Sequence, residues 1–258
     1  MNKSNHSDKA QANKAQFAKR ELWLSSAYAQ QILSTEIDHL KSGLRQVSGP
    51  RVLQVGRIID QSIVDQVDFP QLVITDETSN DHQSSMIADP SFMPLDESSV
   101  ASVLLPHVLE GHELPHQVIR EAHRVLMPEG HVIITGFNPL SLIGLQRFIH
   151  RSAAYPGQYY TFKRVVDWLK LLGFEVVTSR MFQYAPLSKN QKIIKALSFL
   201  NSVGDRWFPI FGGGYMIVAK KRITGTTMVG KMQFSKQKRT KLQAATAAKT
   251  TLNKTNVG

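Results

Sequence analysis

The 258-residue sequence contains no cysteine. Disulfides, thiolate zinc sites and a cysteine nucleophile are therefore excluded. It has no apolar run approaching the roughly 18 to 20 residues that cross a bilayer. The first 16 residues are polar. They lack the apolar core of a secretory signal, so the expected location is cytoplasmic. There is no Walker phosphate loop and no Gly-x-Ser-x-Gly nucleophile elbow. Acidic residues are missing from one end: residues 221–258 hold nine Lys/Arg and no Asp/Glu. Residues 1–20 hold five Lys/Arg and one Asp, which leaves −2 for residues 21–220 out of a total of +11. The basicity sits in the ends, and the middle is almost neutral. A basic tail suits the phosphates of nucleic acid or an anionic membrane surface, and equally a solvated, disordered end.

The remainder reads as an ordinary globular chain, 42% hydrophobic. Residues 1–16 read as disordered, 17–220 as one domain and 221–258 as a basic tail. A helical spacing runs from Phe17 to about Arg45, with Leu22, Ala29, Leu33, Ile37, Leu40 and Leu44 recurring every three or four residues. Trp23 and Tyr28 lie on it, either as packing or as pocket lining. Strands follow at 51–56, 71–75, 86–88, 100–105, 131–136, 174–178 and 215–220. Helical patterns lie between them at 58–69, 114–127, 140–149, 161–172 and 191–203. Alternating strands and helices give an α/β fold with a mostly parallel sheet. In such folds ligands gather beyond the carboxyl ends of the strands. Those ends carry Gly56, Asp76, Asp89, His107 with Glu110, and Asn138. His107 has the pKa of a general base near neutrality, or is a structural histidine. Glu110 suits orienting His107 or meeting a ligand amine or the substrate, and equally a helix N-terminal carboxylate. Asn138 suits a substrate hydrogen bond or a simple Asn-Pro turn.

The fragment His112-Glu113-Leu114-Pro115-His116 matches the His-Glu-x-x-His zinc signature. That signature requires both histidines inside one helix. Pro115 disfavours helical backbone at Leu114, so a helix starting there separates the two histidines. No metal site is expected.

Three phrases resemble class I S-adenosylmethionine-dependent methyltransferases, close to the methyltransferase type 11 group. They are Ala88-Asp89-Pro-Ser-Phe-Met-Pro94-Leu-Asp96, His107-Val-Leu-Glu110, and Glu121-Ala-His-Arg124-Val-Leu-Met-Pro128-Glu-Gly130. The segments Gly136-Phe-Asn-Pro139-Leu-Ser-Leu-Ile-Gly144 and Gly204-Asp-Arg-Trp207 resemble an uncharacterised proteobacterial branch. The resemblance implies a Rossmann-like, seven-stranded, mostly parallel sheet with helices on both faces and the last strand antiparallel. It implies S-adenosyl-L-methionine as cofactor and methyl transfer to an acceptor that the sequence does not specify. Gly56 would lie at the cofactor's carboxypropyl arm, Asp76 at its ribose hydroxyls and Asp89 at the adenine amino group. His107 would lie beside its methionine part and the substrate. Two departures accompany the likeness. The glycine-rich loop is degenerate, Val55-Gly56-Arg57-Ile58-Ile59-Asp60, and Pro90 lacks the N–H the family offers adenine. A catalytically inactive binding or scaffold protein is the alternative these departures favour, and association with RNA through the basic tail is a further one.

Overall fold

The computed structural model describes residues 18–47, 49, 51–56, 71–76, 86–149 and 155–222. The chain divides into two compact units, Met1–Ile223 and Thr224–Gly258. The expected helix at 58–69, residues 1–16 and the altered loop Arg57–Asp60 lie outside the described residues.

Seven strands form one sheet: β1 (Arg51–Val55), β2 (Gln71–Asp76), β3 (Met86–Ile87), β4 (Val100–Pro106), β5 (Leu126–Phe137), β6 (Phe174–Phe182) and β7 (Gly214–Lys221). Their order is β3-β2-β1-β4-β5-β7-β6. β1 to β5 pair in parallel, and β7 runs antiparallel to both β5 and β6. β4 is buried along its whole length, as a strand covered on both faces must be. Its side chains alternate. Val103 and Leu105 join one core cluster, and Leu104 joins the other. Val132 and Ile134 alternate with Ile133 in the same way on β5.

Helix α1 covers residues 18–24 and α2 is Ala27–Leu44. The spacing predicts one helix here, but Ser26 divides it. Its backbone is extended and its hydroxyl accepts from the Ala29 N–H as an N-cap. Both helices pack on the face of Leu104, Ile133 and Phe137. The opposite face takes α3 (Val108–Gly111), α4 (Pro115–Val125) and α6 (Phe162–Leu171). α5 is Leu142–Ile149. The C-terminal half adds α7 (Gln191–Leu197), α8 (Phe199–Trp207) and a 3-10 turn, Pro209–Phe211.

α4 buries Val118, Ile119, Ala122 and Val125, the spacing of an amphipathic helix. It starts at Pro115 and ends before β5, which begins at Leu126 rather than at His131. The ladder slips between Val100 and Ser102, and Glu129 takes a positive φ there. The extra residues Met127–Gly130 form a bulged entry to β5. Lys221 is the last residue of β7, and Arg222 follows it with its N–H on the Gly173 carbonyl. The Lys221 ammonium donates to the carbonyls of His123 and Leu126 at the end of α4, and Arg222 pairs with Glu129 and Glu175. No helix among the described residues is long and apolar enough to cross a membrane.

Candidate active site

The sheet order places the ends of β3, β2, β1 and β4 side by side. Four sequence-predicted positions therefore share one edge: Asp89, Asp76, Gly56 and the His107–Glu110 pair. Asp76 is the last residue of β2 and pairs with Ile87 of β3. Gly56 follows β1 at φ +81°, which L side chains rarely adopt, and its N–H donates to the Thr75 carbonyl. A Cβ on Gly56 would reach Val108 only at 3.5 Å, ordinary contact, so the backbone angle rather than crowding demands glycine.

Asp89 sits in a turn just beyond β3. Its Oδ1 accepts from the Ser91 N–H (2.7 Å), the Ser91 hydroxyl (2.6 Å) and His112 (3.2 Å). Burial would raise its pKa, but these bonds hold it below the usual carboxylate range. Oδ2 takes none of them. The following chain is pinned by α4: Glu121 accepts the Met93 N–H and Arg124 donates to the Met93 carbonyl, while the two side chains pair with each other. The Glu-x-x-Arg phrase thus acts as a clamp on the segment carrying Asp89.

His107 lies where predicted, after β4, but not in an open cleft. It takes a left-handed backbone (φ 51°) and is 1% exposed. Its Nε2 meets Oε2 of Glu36 at 3.0 Å, and its Nδ1 meets Oε1 of Glu110 at 3.3 Å. Burial alone would lower its pKa. The two carboxylates outweigh burial, Glu36 most strongly, and raise it to about 10. An imidazolium with both nitrogens donating has no lone pair for a proton. Of the two roles the sequence leaves open, general base or structural histidine, this setting between two carboxylates favours the structural one. Glu110 also accepts the Phe137 N–H at 2.7 Å and so ties the ends of β4 and β5 together. Oε1 of Glu36 and Oε2 of Glu110 are buried and have no hydrogen-bond partner among the described residues. Such atoms are costly unless something donates to them.

An aromatic roof closes over this array. The His107 ring stacks on Phe137 at 4.1 Å and lies 5.5 Å from Tyr155. Trp23 of α1 packs edge-on against Phe137 and Tyr155. Tyr159 stacks on the far side of Phe137, with Arg147 of α5 over its ring. Burial raises the phenol pKa of both Tyr155 and Tyr159. Trp23 thus lines the site, whereas Tyr28 sits beside Lys189 away from it.

Asn138 forms the turn that was one of its two expected roles. Its amide donates to the carbonyls of Ile210 and Gly212, and its oxygen accepts the Leu140 N–H. Both of its amide N–H donors are thus used in joining the end of β5 to the 3-10 turn. The His-Glu-x-x-His match also dissolves: His112 is extended and bonded to Asp89, while His116 lies on α4 against Trp168. Glu36 is the site residue the sequence reading missed. Its signal was a carboxylate inside the buried stripe Ala29, Ile32, Glu36, Leu40 of α2. The predicted stripe instead ran through Leu33 and Ile37, which are only half-buried.

The described residues fit S-adenosylmethionine at three points. Gly56 has an open, left-handed backbone, Asp89 has Oδ2 to offer an amino group, and Glu110 has a buried oxygen that needs a donor. Comparison with known proteins agrees. Residues 56–134 match the family model described as "Methyltransferase domain". A curated relative, the uncharacterised protein YafS of Escherichia coli K12, is 36% identical over 155 residues. The match takes in 58% of this chain and 60% of that protein, so it spans well under two thirds of the relative. Among solved structures, an S-adenosylmethionine-dependent methyltransferase from Thermotoga maritima, described as a possible histamine N-methyltransferase, matches with a TM-score of 0.53 at 13% identity over 76% of this chain and 98% of that one. One from Mesorhizobium loti gives 0.51 at 15% over 71% and 96%, and one from Archaeoglobus fulgidus 0.50 at 17% over 72% and 94%. The chain therefore has the fold of class I S-adenosylmethionine-dependent methyltransferases, and its residues 56–134 are similar to a methyltransferase domain.

Proposed function

We propose that this chain transfers a methyl group from S-adenosylmethionine to an acceptor bound at the carboxyl edge of β4 and β5. The observation that carries the reading is the sheet order, which brings Asp89, Asp76, Gly56 and Glu110 to one edge in that sequence. Asp89 would accept from the adenine amino group, Asp76 from the ribose hydroxyls, and Glu110 from the amino-acid ammonium. Gly56 lets the backbone pass close by. The bound cofactor supplies an electrophilic methyl carbon on a sulfonium.

The chain's own residues orient and enclose. His107, fixed between Glu36 and Glu110, holds the end of β4 in its left-handed turn. Trp23, Phe137, Tyr155 and Tyr159 exclude water above it, which strengthens electrostatic interactions beneath. With His107 protonated, its imidazole does not act as the base, so the reading favours acceptors whose nucleophilic atom attacks without first losing a proton.

A second reading is a protein that binds without catalysis. The near-complete burial of Glu36, His107, Glu110 and Tyr155 favours it, because the roof leaves little approach to the array. Titration calorimetry of the full chain with S-adenosylmethionine and S-adenosylhomocysteine tests both. Heat and a thermal shift with both ligands are expected. No binding at millimolar ligand would sink the enzyme reading; binding without turnover of any offered acceptor would favour the second.

A further inference from the structure

Helix α8 faces the wrong way for a helix of a free-standing protein. Only Gly204 is buried in it. Gly204 rests against the Tyr184 ring so closely that a Cβ there would lie 2.3 Å from Cγ. On the same inward side, Asn201 accepts the N–H groups of Tyr184 and Ala185. The helix is held to the domain by a glycine and an amide. Its apolar side chains point out instead: Phe199, Val203 and Trp207, at i, i+4 and i+8, are 57%, 40% and 69% exposed. Phe208, Ile210 and Phe211 of the following turn continue the surface, each more than half exposed. Phe208 and Phe211 meet edge-on at 6.4 Å. Asn138 fixes this turn to the end of β5 through the Ile210 and Gly212 carbonyls. An outward apolar stripe of this kind marks a surface that is covered in use.

We infer that this face docks on an anionic lipid bilayer. Charge and composition select that occupant. Residues 191–211 hold Lys192, Lys195 and Arg206 against the single acid Asp205. Cations beside an exposed Trp and Phe cluster on short amphipathic helices match an interfacial binding surface, with rings at headgroup depth and cations at anionic phosphates. A second copy of the chain would set two such positive faces against each other. The segment beyond Ile223 is a poor cover as well, because it holds seven Lys/Arg and no acid. The inference does not depend on the methyltransferase reading.

Co-sedimentation of the full chain with phosphatidylcholine vesicles, and with vesicles containing phosphatidylglycerol, tests it. Binding to the anionic vesicles alone is expected, with a blue shift of tryptophan fluorescence. The exposed pair Trp207→Glu and Phe211→Glu should weaken binding at least about tenfold while the circular dichroism stays unchanged. Trp207→Phe should restore most of it and remove most of the blue shift. No sedimentation with either vesicle overturns the inference. So does equal binding by the Glu variant, which would assign the attraction to the basic tail alone. A dimer that the Glu variant converts to monomer would make this face a self-interface and also overturn it.

Discussion

His107 Nε2 lies 3.0 Å from Oε2 of Glu36, a residue 71 positions earlier in the chain, and both are completely buried. This contact ties α2 to the end of β4. It sets His107 between two carboxylates, the surroundings of a structural histidine rather than of a free base. Two carboxylates around one imidazolium retain a net negative charge at the carboxyl edge of the sheet. A cationic ligand there would be attracted; an anionic one would meet like charge.

The pair makes stability depend on pH in a definite direction. The folded pKa of His107 is raised to about 10 from an unfolded value near 6.5. Its stabilising contribution is therefore complete below about pH 6.5 and is lost as pH rises toward 10. Wild-type denaturation midpoints should fall across that window. His107→Asn keeps a residue tolerant of left-handed backbone but strands two buried carboxylates. It should cost about 3–5 kcal/mol near neutrality and flatten the slope between pH 6.5 and 10. A variant whose urea midpoint retains the wild-type slope would show that His107 does not carry it.

Glu36→Gln tests the same contact from its other side. The glutamine keeps the shape of the side chain and one hydrogen bond but removes the charge that most strongly raises the His107 pKa. The imidazole pKa, followed by NMR, should move down from about 10 while Glu110 still holds Nδ1. An unmoved value would mean that Glu110 alone sets it.

Much of the framework was legible because it is local. The apolar runs of β1, β4 and β7, the Thr161 cap of α6 and the proline start of α4 all declare themselves within a few residues. The site was legible only as positions at strand ends. The roles of those positions are set by partners far away in the chain, and no periodicity carries that information. Glu36 reads as one polar residue in a helix until β4 comes beneath it. Asn138 reads as a turn until the carbonyls of Ile210 and Gly212 arrive, 72 and 74 residues later. Lys221 read as the first residue of a basic tail, because nothing beside it reveals the carbonyls of His123 and Leu126.

Lys221→Met checks that last assignment. Methionine keeps most of the apolar stem and removes the two charge-assisted bonds that cap α4. A loss of about 1–3 kcal/mol is expected, read as a lowered denaturation midpoint with unchanged cofactor affinity. A neutral substitution would return Lys221 to the tail.

Gly204→Ala probes how α8 is attached. Alanine favours a helix over glycine by about 1 kcal/mol, but its Cβ would overlap the Tyr184 ring. The clash should win, for a net loss of about 1–2 kcal/mol and a Tm lower by about 2–6 °C in calorimetry. A raised Tm would mean that α8 lifts away from Tyr184 at no cost, and that the glycine is not its anchor.

Asp89 offers the sharpest test of the cofactor assignment, because its two oxygens have separate jobs. Oδ1 holds the Ser91 turn, and Oδ2 is the one left for an adenine amino group. Asp89→Asn can keep the turn through Oδ1 while presenting an NH2 where the second acceptor was. Donor would then face donor. Affinity for S-adenosylhomocysteine should fall about tenfold by calorimetry, the equivalent of one lost hydrogen bond with an unsatisfied partner, with little change in Tm of the ligand-free chain. Asp89→Ala removes both functions and should lower affinity and Tm together. If Asp89→Asn binds as tightly as the wild type, Asp89 is a turn residue only, and the adenine must be held elsewhere along the edge formed by β2 and β3.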